Sequence, residues 1–279
     1  MLRWRLLILS AAVLWSTGGA AIKMTGLSGW QVGAGRSAFA AAFLFAAFPS
    51  ARGRPDRRIL ASAAAYAATV ISFAVANKLT TSANAIFIQD TAPLWVVLLS
   101  PLLLRERPSR GELLSIPVYG AGLALFFLDE LSAGQLAGNL VALASGVAFA
   151  LCILTLRGLA DRAVAAVAWG NVVAALAGLP LWASGPDASA RDLLLLAYLG
   201  VFQLGAAYAL FARGVAHTPA VEASLLVLLE PVLNPIWTFF LTGERPGPWA
   251  LAGGGIVLGA TAARTAMAAL GGRRVAAAS

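Results

Sequence analysis

The stretch from Asn77 to Arg110, NKLTTSANAIFIQDTAPLWVVLLSPLLLRERPSR, holds one long apolar run with Pro93 inside it and closes on Arg105-Glu106-Arg107-Pro108. From His217 to Pro248 the chain repeats nearly the same pattern, HTPAVEASLLVLLEPVLNPIWTFFLTGERPGP. Pro93 answers to Pro231 and Glu106 to Glu244, a constant offset of 138 residues (93 to 231, 106 to 244). A self-similarity at about half the chain length reads as a duplicated unit. The opening parts of the two copies agree more loosely. Ala12-Val13-Leu14-Trp15 falls opposite Gly146-Val147-Ala148-Phe149, and Lys23 falls opposite Arg157. These matches divide the chain into residues 1–131 and 132–279.

The solvent for this duplication follows from composition. Hydrophobic residues make up 60% of the 279 residues and charged residues 11%, and the mean hydropathy is +0.82. A soluble domain carries roughly 25% charged residues, so a chain this apolar must turn its surface to lipid. Only helices and closed barrels satisfy their backbone polar groups there. The apolar runs are far longer than the roughly 10-residue alternating strands of a barrel. They read as ten membrane-spanning helices at 4–23, 29–48, 59–77, 82–104, 111–128, 135–156, 164–183, 192–213, 219–241 and 248–269. The fold class expected is therefore all-α integral membrane, with an uncleaved first span.

The loops set the orientation. Arg3, Arg5, Arg52, Arg54, Arg57, Arg58, Arg105, Arg107, Arg110, Arg157, Arg162, Arg213, Arg264, Arg273 and Arg274 gather on one side, against Lys23, Lys78, Arg191 and Arg245 on the other. The positive-inside rule places both termini in the cytoplasm. The net charge of +8 is thereby topological, and no basic stripe with interleaved aromatics suggests a nucleic-acid partner. Five spans per half is an odd number, so the second copy enters the membrane inverted. Glu106-Arg107-Pro108 then faces inward and Glu244-Arg245-Pro246 outward. Inverted repeats occur in many secondary transporters, where two mirrored halves alternate access to a central site.

Four ionisable residues fall inside predicted spans: Arg36, Asp90, Glu222 and Glu230. Charges at membrane depth mark functional positions or demand partners. Arg36 and Asp90 lie at similar depth, so they are expected either to pair or to meet a zwitterionic substrate. Glu222 reads as a first-turn acid favoured by a helix N-terminus. Glu230, mid-span before Pro231, has no basic partner visible in sequence and calls for a water-filled cavity. Asn77, Gln89, Asn171, Gln203, Tyr208 and Asn234 are polar enough to bond neighbouring helices or a substrate. Pro93, Pro231 and Pro235 free backbone carbonyls at membrane depth. Trp15, beside Ser16 and Thr17, is the leading aromatic candidate for an apolar pocket, with Phe73 and Phe149 beside it. Gly29/Gly33 and Gly255/Gly259 have helix-packing spacing.

No GxxxxGK[ST] loop and no HExxH occur, and the single Cys152 and single His217 leave neither a metal set nor a general-base constellation. An ATP motor and an intramembrane hydrolase are disfavoured; no cofactor is expected.

With both copies in view, the chain resembles the EamA-type carriers of the drug/metabolite transporter superfamily. The resemblance rests on the doubled unit: Thr81-Ser82-Ala83-Asn84 and Thr218-Pro219-Ala220-Val221-Glu222-Ala223, then Pro93 and Pro231, then Glu-Arg-Pro, then a glycine-rich last span. Leu14-Trp15-Ser16-Thr17 and Ala206-Ala207-Tyr208-Ala209 make it similar, within that family, to bacterial aromatic amino-acid exporters. The resemblance implies ten helices in two inverted five-helix repeats, with spans five and ten at the back. It implies export of amino acids or related metabolites across a bacterial inner membrane. Trp15, Phe73, Asn77, Asp90, Phe149, Gln203, Tyr208 and Glu230 would then face a central cavity, with Asp90 departing from the neutral or aromatic residue expected there. The implied partners are a small-molecule substrate and membrane lipid. Protons join them under antiport through Asp90 or Glu230, whereas facilitated efflux needs neither. Export of lipophilic cations is the alternative, with Glu230 essential.

Overall fold

The computed structural model describes residues 2–105, 136–182, 185–227 and 229–249, with isolated positions between 114 and 125 and between 251 and 263. Glu106-Arg107-Pro108, more than half of the fifth predicted span with its Asp129-Glu130 loop, much of the tenth span, and Arg273 and Arg274 lie outside the described residues.

The described residues are helical and contain no strand. The elements are α1 (Leu2–Ser16), α2 (Gly18–Met24), α3 (Gly29–Ala47), α4 (Arg57–Leu79), α5 (Ser82–Gln89), α6 (Ala92–Leu103), α7 (Leu136–Arg157), α8 (Ala163–Trp182), α9 (Ala190–Tyr198), α10 (Ala207–Val215), α11 (Ala220–Leu226) and α12 (Leu229–Thr242). A π-helical segment, Leu199–Ala206, joins α9 to α10. Seven of the resulting rods are long and apolar enough to cross a membrane. The 19-residue α3, which carries Gln31 and Arg36, packs among them. Leu102, Leu194 and Phe240 are each more than 70% exposed, as expected of side chains that face lipid instead of water.

Local sequence explains where these helices start. Ser28 and Gln31 form a reciprocal capping box ahead of α3, and Ser189 and Asp192 do the same for α9. Asp56 accepts the Ile59 amide at the head of α4 and pairs with Arg162 at 2.7 Å. The Ile59 amide, and then Arg162, hold the Asp56 carboxyl below the usual carboxylate range.

Pro93 and Pro231 divide the single spans predicted at 82–104 and 219–241, whereas Pro235 lies inside its helix. The fourth span is two helices, α5 and α6, separated by a turn at Asp90-Thr91, with Pro93 in the first turn of α6. The ninth is likewise divided, with Pro231 just inside α12. Proline has no N–H and its ring clashes with the carbonyl four residues back, so the chain restarts a helix at the proline, where its missing donor costs nothing. The first span is also broken, at Thr17, whose hydroxyl donates to the Leu14 carbonyl.

Side-by-side packing joins the rods in a closed cycle: α1, α10 with the π segment, α3, α8, α4, α7, α5/α6, α11/α12, and back to α1. Neighbours in this cycle alternate between residues before 131 and residues after 136. Each rod of the cycle is thus flanked on both sides by rods from the other stretch of chain.

Close approach within the cycle depends on particular glycines. A methyl group on Gly29 would lie 2.5 Å from the Val75 Cα, inside the backbone of α4. Gly255 and Gly259, which share its spacing in sequence, have nothing within 4 Å among the described residues, so close helix packing is seen at the first pair only. Gly29→Ala is therefore expected to lower the melting temperature of the purified protein, at a cost of about 1–3 kcal/mol from overpacking. Gly255→Ala should leave it unchanged; equal melting curves for all three proteins would contradict this packing.

Candidate functional site

A buried pocket lies where the cycle closes on itself. It is lined from α1 by Trp15, from α3 by Arg36, from α4 by Thr69, Val70 and Phe73, from α5 by Gln89 and from α7 by Phe149. The π segment adds Gln203 and Leu204, α10 adds Tyr208 and α12 adds Glu230. Every station of the cycle except α8 contributes. The cavity is about 20 Å³, room for about one water molecule, so the site is closed in this conformation.

Arg36 is its central group. It is 1% exposed, at a depth where an unpaired charge costs several kcal/mol. Its Nη1 donates to Gln203 Oε1 at 3.1 Å and its Nη2 to the Val70 carbonyl at 2.5 Å, while Nε has no partner. Tyr66, Tyr208 and Glu230 surround its charge. The π segment explains how Gln203 reaches it: the widened turn shifts the helix register locally, as such segments often do at functional positions.

Around this charged centre stand aromatic rings. Trp15 packs against Tyr208 with ring centres 4.5 Å apart, against Phe211 at 5.0 Å and, edge-on, against Phe149 at 5.9 Å. Tyr66 meets Tyr208 edge-on at 4.6 Å, and its hydroxyl accepts from Asn171 Nδ2 at 2.9 Å. Such pairs hold rings rigidly and each contributes about 0.5–1.5 kcal/mol beyond area burial. The Trp15 indole Nε1 is buried without a partner.

Of the residues expected from sequence, Trp15, Phe73, Phe149, Gln203, Tyr208 and Glu230 come together at this pocket. Asn77 and Asp90 do not line it. Asn77 lies one turn beyond Phe73 on α4 and donates back to the Phe73 carbonyl at 3.1 Å, with its Oδ1 unpartnered. Asp90 ends α5, 2% exposed, with Oδ2 unpartnered. The expected Arg36–Asp90 pair is not formed. The guanidinium instead faces Gln203 and Val70, because α3 packs against the π segment and α4, whereas Asp90 lies on the α5/α6 break across the cycle. Glu230 lies within electrostatic reach of both Asp90 and Arg36. Glu222 fulfils its first-turn placement and also pairs with Arg5 at 2.5 Å.

Thr69, Val70 and Leu204 carry no sequence signal that distinguishes them from other apolar-span residues. Gln89 joins the lining and donates to Ser145 Oγ at 2.6 Å, which itself donates to the Thr69 carbonyl. Asn234 and Glu244 meet the head of α5 instead: Glu244 accepts the Ser82 amide at 2.5 Å and pairs with Lys23 at 3.3 Å. Among the described residues no three His, Cys, Asp or Glu side chains are grouped to hold a metal.

A multi-pass helical bundle with a closed polar and aromatic pocket at its centre defines the class of small-molecule membrane transporters. The chain belongs to the EamA-like transporter family, whose model matches residues 2–128 and 134–263. An uncharacterized transporter of Archaeoglobus fulgidus is 29% identical over 217 residues, 74% of this chain and 75% of its own. The uncharacterized transporter YwfM of Bacillus subtilis is 30% identical over 170 residues, 57% of this chain and 55% of its own. A solved crystal structure covers 98% of this chain and 98% of its own length with a TM-score of 0.72; at 21% identity it speaks for the fold alone.

Because Gln203 Oε1 is the side-chain acceptor of the Arg36 guanidinium, Gln203→Leu is expected to destabilise the protein by about 1–3 kcal/mol, read as a lower melting temperature. Gln203→Glu, which keeps the acceptor, should restore it. Loss of stability in both variants alike would argue that packing, not hydrogen bonding, is the role of this side chain.

Proposed function

We propose that this transporter exports amino acids, aromatic or otherwise apolar, or closely related metabolites, from the cytoplasm across the inner (plasma) membrane. The observation that carries this reading is that one buried guanidinium, Arg36, and one buried carboxyl, Glu230, line the same pocket as Trp15, Phe73, Phe149 and Tyr208. A zwitterion needs a cation for its carboxylate and an anion for its ammonium, and an apolar side chain needs rings or aliphatic walls. Arg36 is assigned to the carboxylate, its unpartnered Nε available for it, and Glu230 to the ammonium. Gln203 holds Arg36 in place, a role that replaces direct substrate contact.

Alternating access would work through two inverted five-helix halves, residues 1–131 and 132–279, in ten spans with both termini cytoplasmic. Three observations support this. Helices from the two halves alternate around the cycle. Each half has its proline helix broken within one residue of the same register, before Pro93 and before Pro231. Finally, Lys23 Nζ donates to the Thr80 carbonyl at 2.8 Å, and Arg157 Nη1 donates to the Thr218 carbonyl at 2.5 Å. Lys23 and Arg157 are matched in sequence, as are Thr80 and Thr218, so one contact occurs twice.

Protons are the proposed coupling ion. Two buried carboxyls, Asp90 and Glu230, lie within electrostatic reach of each other, and Glu230 is also in reach of the buried Arg36 guanidinium, with Tyr66, Tyr208 and Cys152 as the other ionisable groups nearby. One positive charge balances one carboxylate; the other carboxyl is neutral only with a proton, which the substrate's ammonium would displace. The same excess of carboxyls favours a second reading, export of lipophilic cations. The two diverge at Arg36, which a cation substrate would not need.

Counterflow of a radiolabelled amino-acid panel into proteoliposomes tests the proposal. Phenylalanine, tryptophan or leucine should show saturable, trans-stimulated flux that a pH gradient accelerates. Arg36→Gln should reduce it roughly ten-fold or more, the loss of about one charge-assisted hydrogen bond or two. Absence of flux for every amino acid would sink the substrate assignment. Cation export that survives Arg36→Gln and vanishes in Glu230→Gln would favour the second reading.

A further inference from the structure

A second, larger pocket lies at the end of the bundle where the basic loops gather. It is about 290 Å³, and its lining comes from the head of α1, the tail of α10, the loop after α3 and the start of α8. In the packing cycle α1 and α8 are not neighbours, since α10 and α3 stand between them. A pocket that both line, with Arg3, Arg213 and His217 exposed, is a mouth at this end of the bundle.

Its chemistry repeats that of the central site. Arg3 and Arg213 line it as cations, Asp161 as an anion, and Trp4 and His217 as rings stacked 4.0 Å apart. Both guanidinium groups are poised on ring faces, Arg3 4.9 Å from the centre of Trp4 and Arg213 4.8 Å from that of Phe48. Ring stacking fixes a guanidinium while leaving its N–H donors in plane and available. Neither side chain makes an ion pair or hydrogen bond among the described residues. The other arginines nearby are occupied: Arg5 with Glu222, Arg162 with Asp56, Arg52 with the Phe45 and Ala46 carbonyls, and Arg157 with that of Thr218. Arg54, Arg57 and Arg58 also have no such partner among the described residues but do not line the mouth, so Arg3 and Arg213 are the cations within it that have donors to spare.

The two pockets share helices. Ala212 of the mouth lies one turn from Tyr208 of the central site on α10, and Leu7 lies about two turns from Trp15 on α1. Buried Phe211 and Ile8 stand between. We infer that the mouth is a loading site for the transported zwitterion: Arg3 and Arg213 take its carboxylate, Asp161 its ammonium and the Trp4–His217 stack its apolar side chain, before it passes the Phe211 layer to Arg36. The inference rests on the amino-acid export reading and on its topology, which puts this end in the cytoplasm. The conformation described fits that order, since the mouth has room for an amino acid while the central cavity does not.

Initial counterflow rates should be measured against phenylalanine concentration for the wild type, Arg213→Gln, the double variant Arg3→Gln/Arg213→Gln, and Arg3→Lys/Arg213→Lys. The same is done with phenethylamine, which lacks the carboxylate. Each exposed guanidinium lost should raise the half-saturating phenylalanine concentration roughly two- to five-fold, the range of an exposed ion pair. The maximal rate should be kept, the lysine variant, which keeps the charge but not the stacked fork of donors, should fall between the wild type and the double glutamine variant, and phenethylamine should be indifferent to all of them. An unchanged half-saturation in the double glutamine variant overturns the loading site while wild-type flux leaves the export reading standing. Equal losses for phenylalanine and phenethylamine overturn it too, as a merely structural effect. No wild-type flux for any amino acid removes the export reading, and the loading site with it.

Discussion

One guanidinium in a low-dielectric interior constrains much of this molecule. Arginine cannot shed its proton to escape the cost of burial, as lysine can, so the bundle must supply acceptors at the depth of Arg36. Three elements are shaped to that end. The π segment turns Gln203 towards it, α4 offers the Val70 carbonyl, and the break ahead of Pro231 brings the Glu230 carboxyl to the same pocket. Tyr66 and Tyr208 pack around the charge and are held by Asn171 and by each other. Replacing any of these by an aliphatic residue would leave the protein a helical bundle but would remove a reason for its centre to be polar.

Helix interruptions follow the same logic. The first, fourth, eighth and ninth rods each lose regularity near the level of the pocket, at Thr17, at Asp90-Thr91, across Leu199–Ala206 and between α11 and α12. Irregular backbone at membrane depth is tolerated where protein or a cavity covers it. Such breaks also supply the small rotations that a closed cavity of about 20 Å³ needs if it is to admit an amino acid. Helices α3, α4, α7 and α8, which are unbroken, form one contiguous side of the cycle.

Much of this is legible in the sequence, for identifiable reasons. Length and apolarity mark the spans, since lipid allows only helices and closed barrels and the runs are too long for barrel strands, and the doubled proline unit is what suggests two halves. Ionisable residues at depth are rare, so Arg36 and Glu230 stand out, and the rings of Trp15, Phe73, Phe149 and Tyr208 fall at pocket depth on their spans. What is not legible is lateral placement. Depth along a helix says nothing of which neighbour a side chain faces, which is why Asp90 suggests itself as the partner of Arg36 and Gln203 fills that place. The π segment has no residue pattern that distinguishes it from continuous helix, and Thr69 and Val70 matter through backbone carbonyls that every residue has. Asn77 has the polarity of a site residue, yet its amide bonds its own helix.

The proposed zwitterion site requires Arg36 to meet a carboxylate. A thermodynamic cycle on equilibrium binding addresses it directly: phenylalanine and phenethylamine, each titrated into the wild type and into Arg36→Gln. If the guanidinium holds the carboxylate, removing either partner should weaken binding, and removing both should weaken it little further, leaving a coupling of about 1.5–3 kcal/mol for a buried charge-assisted contact. If the two losses simply add, the carboxylate and Arg36 act independently, and the proposed zwitterion site is contradicted.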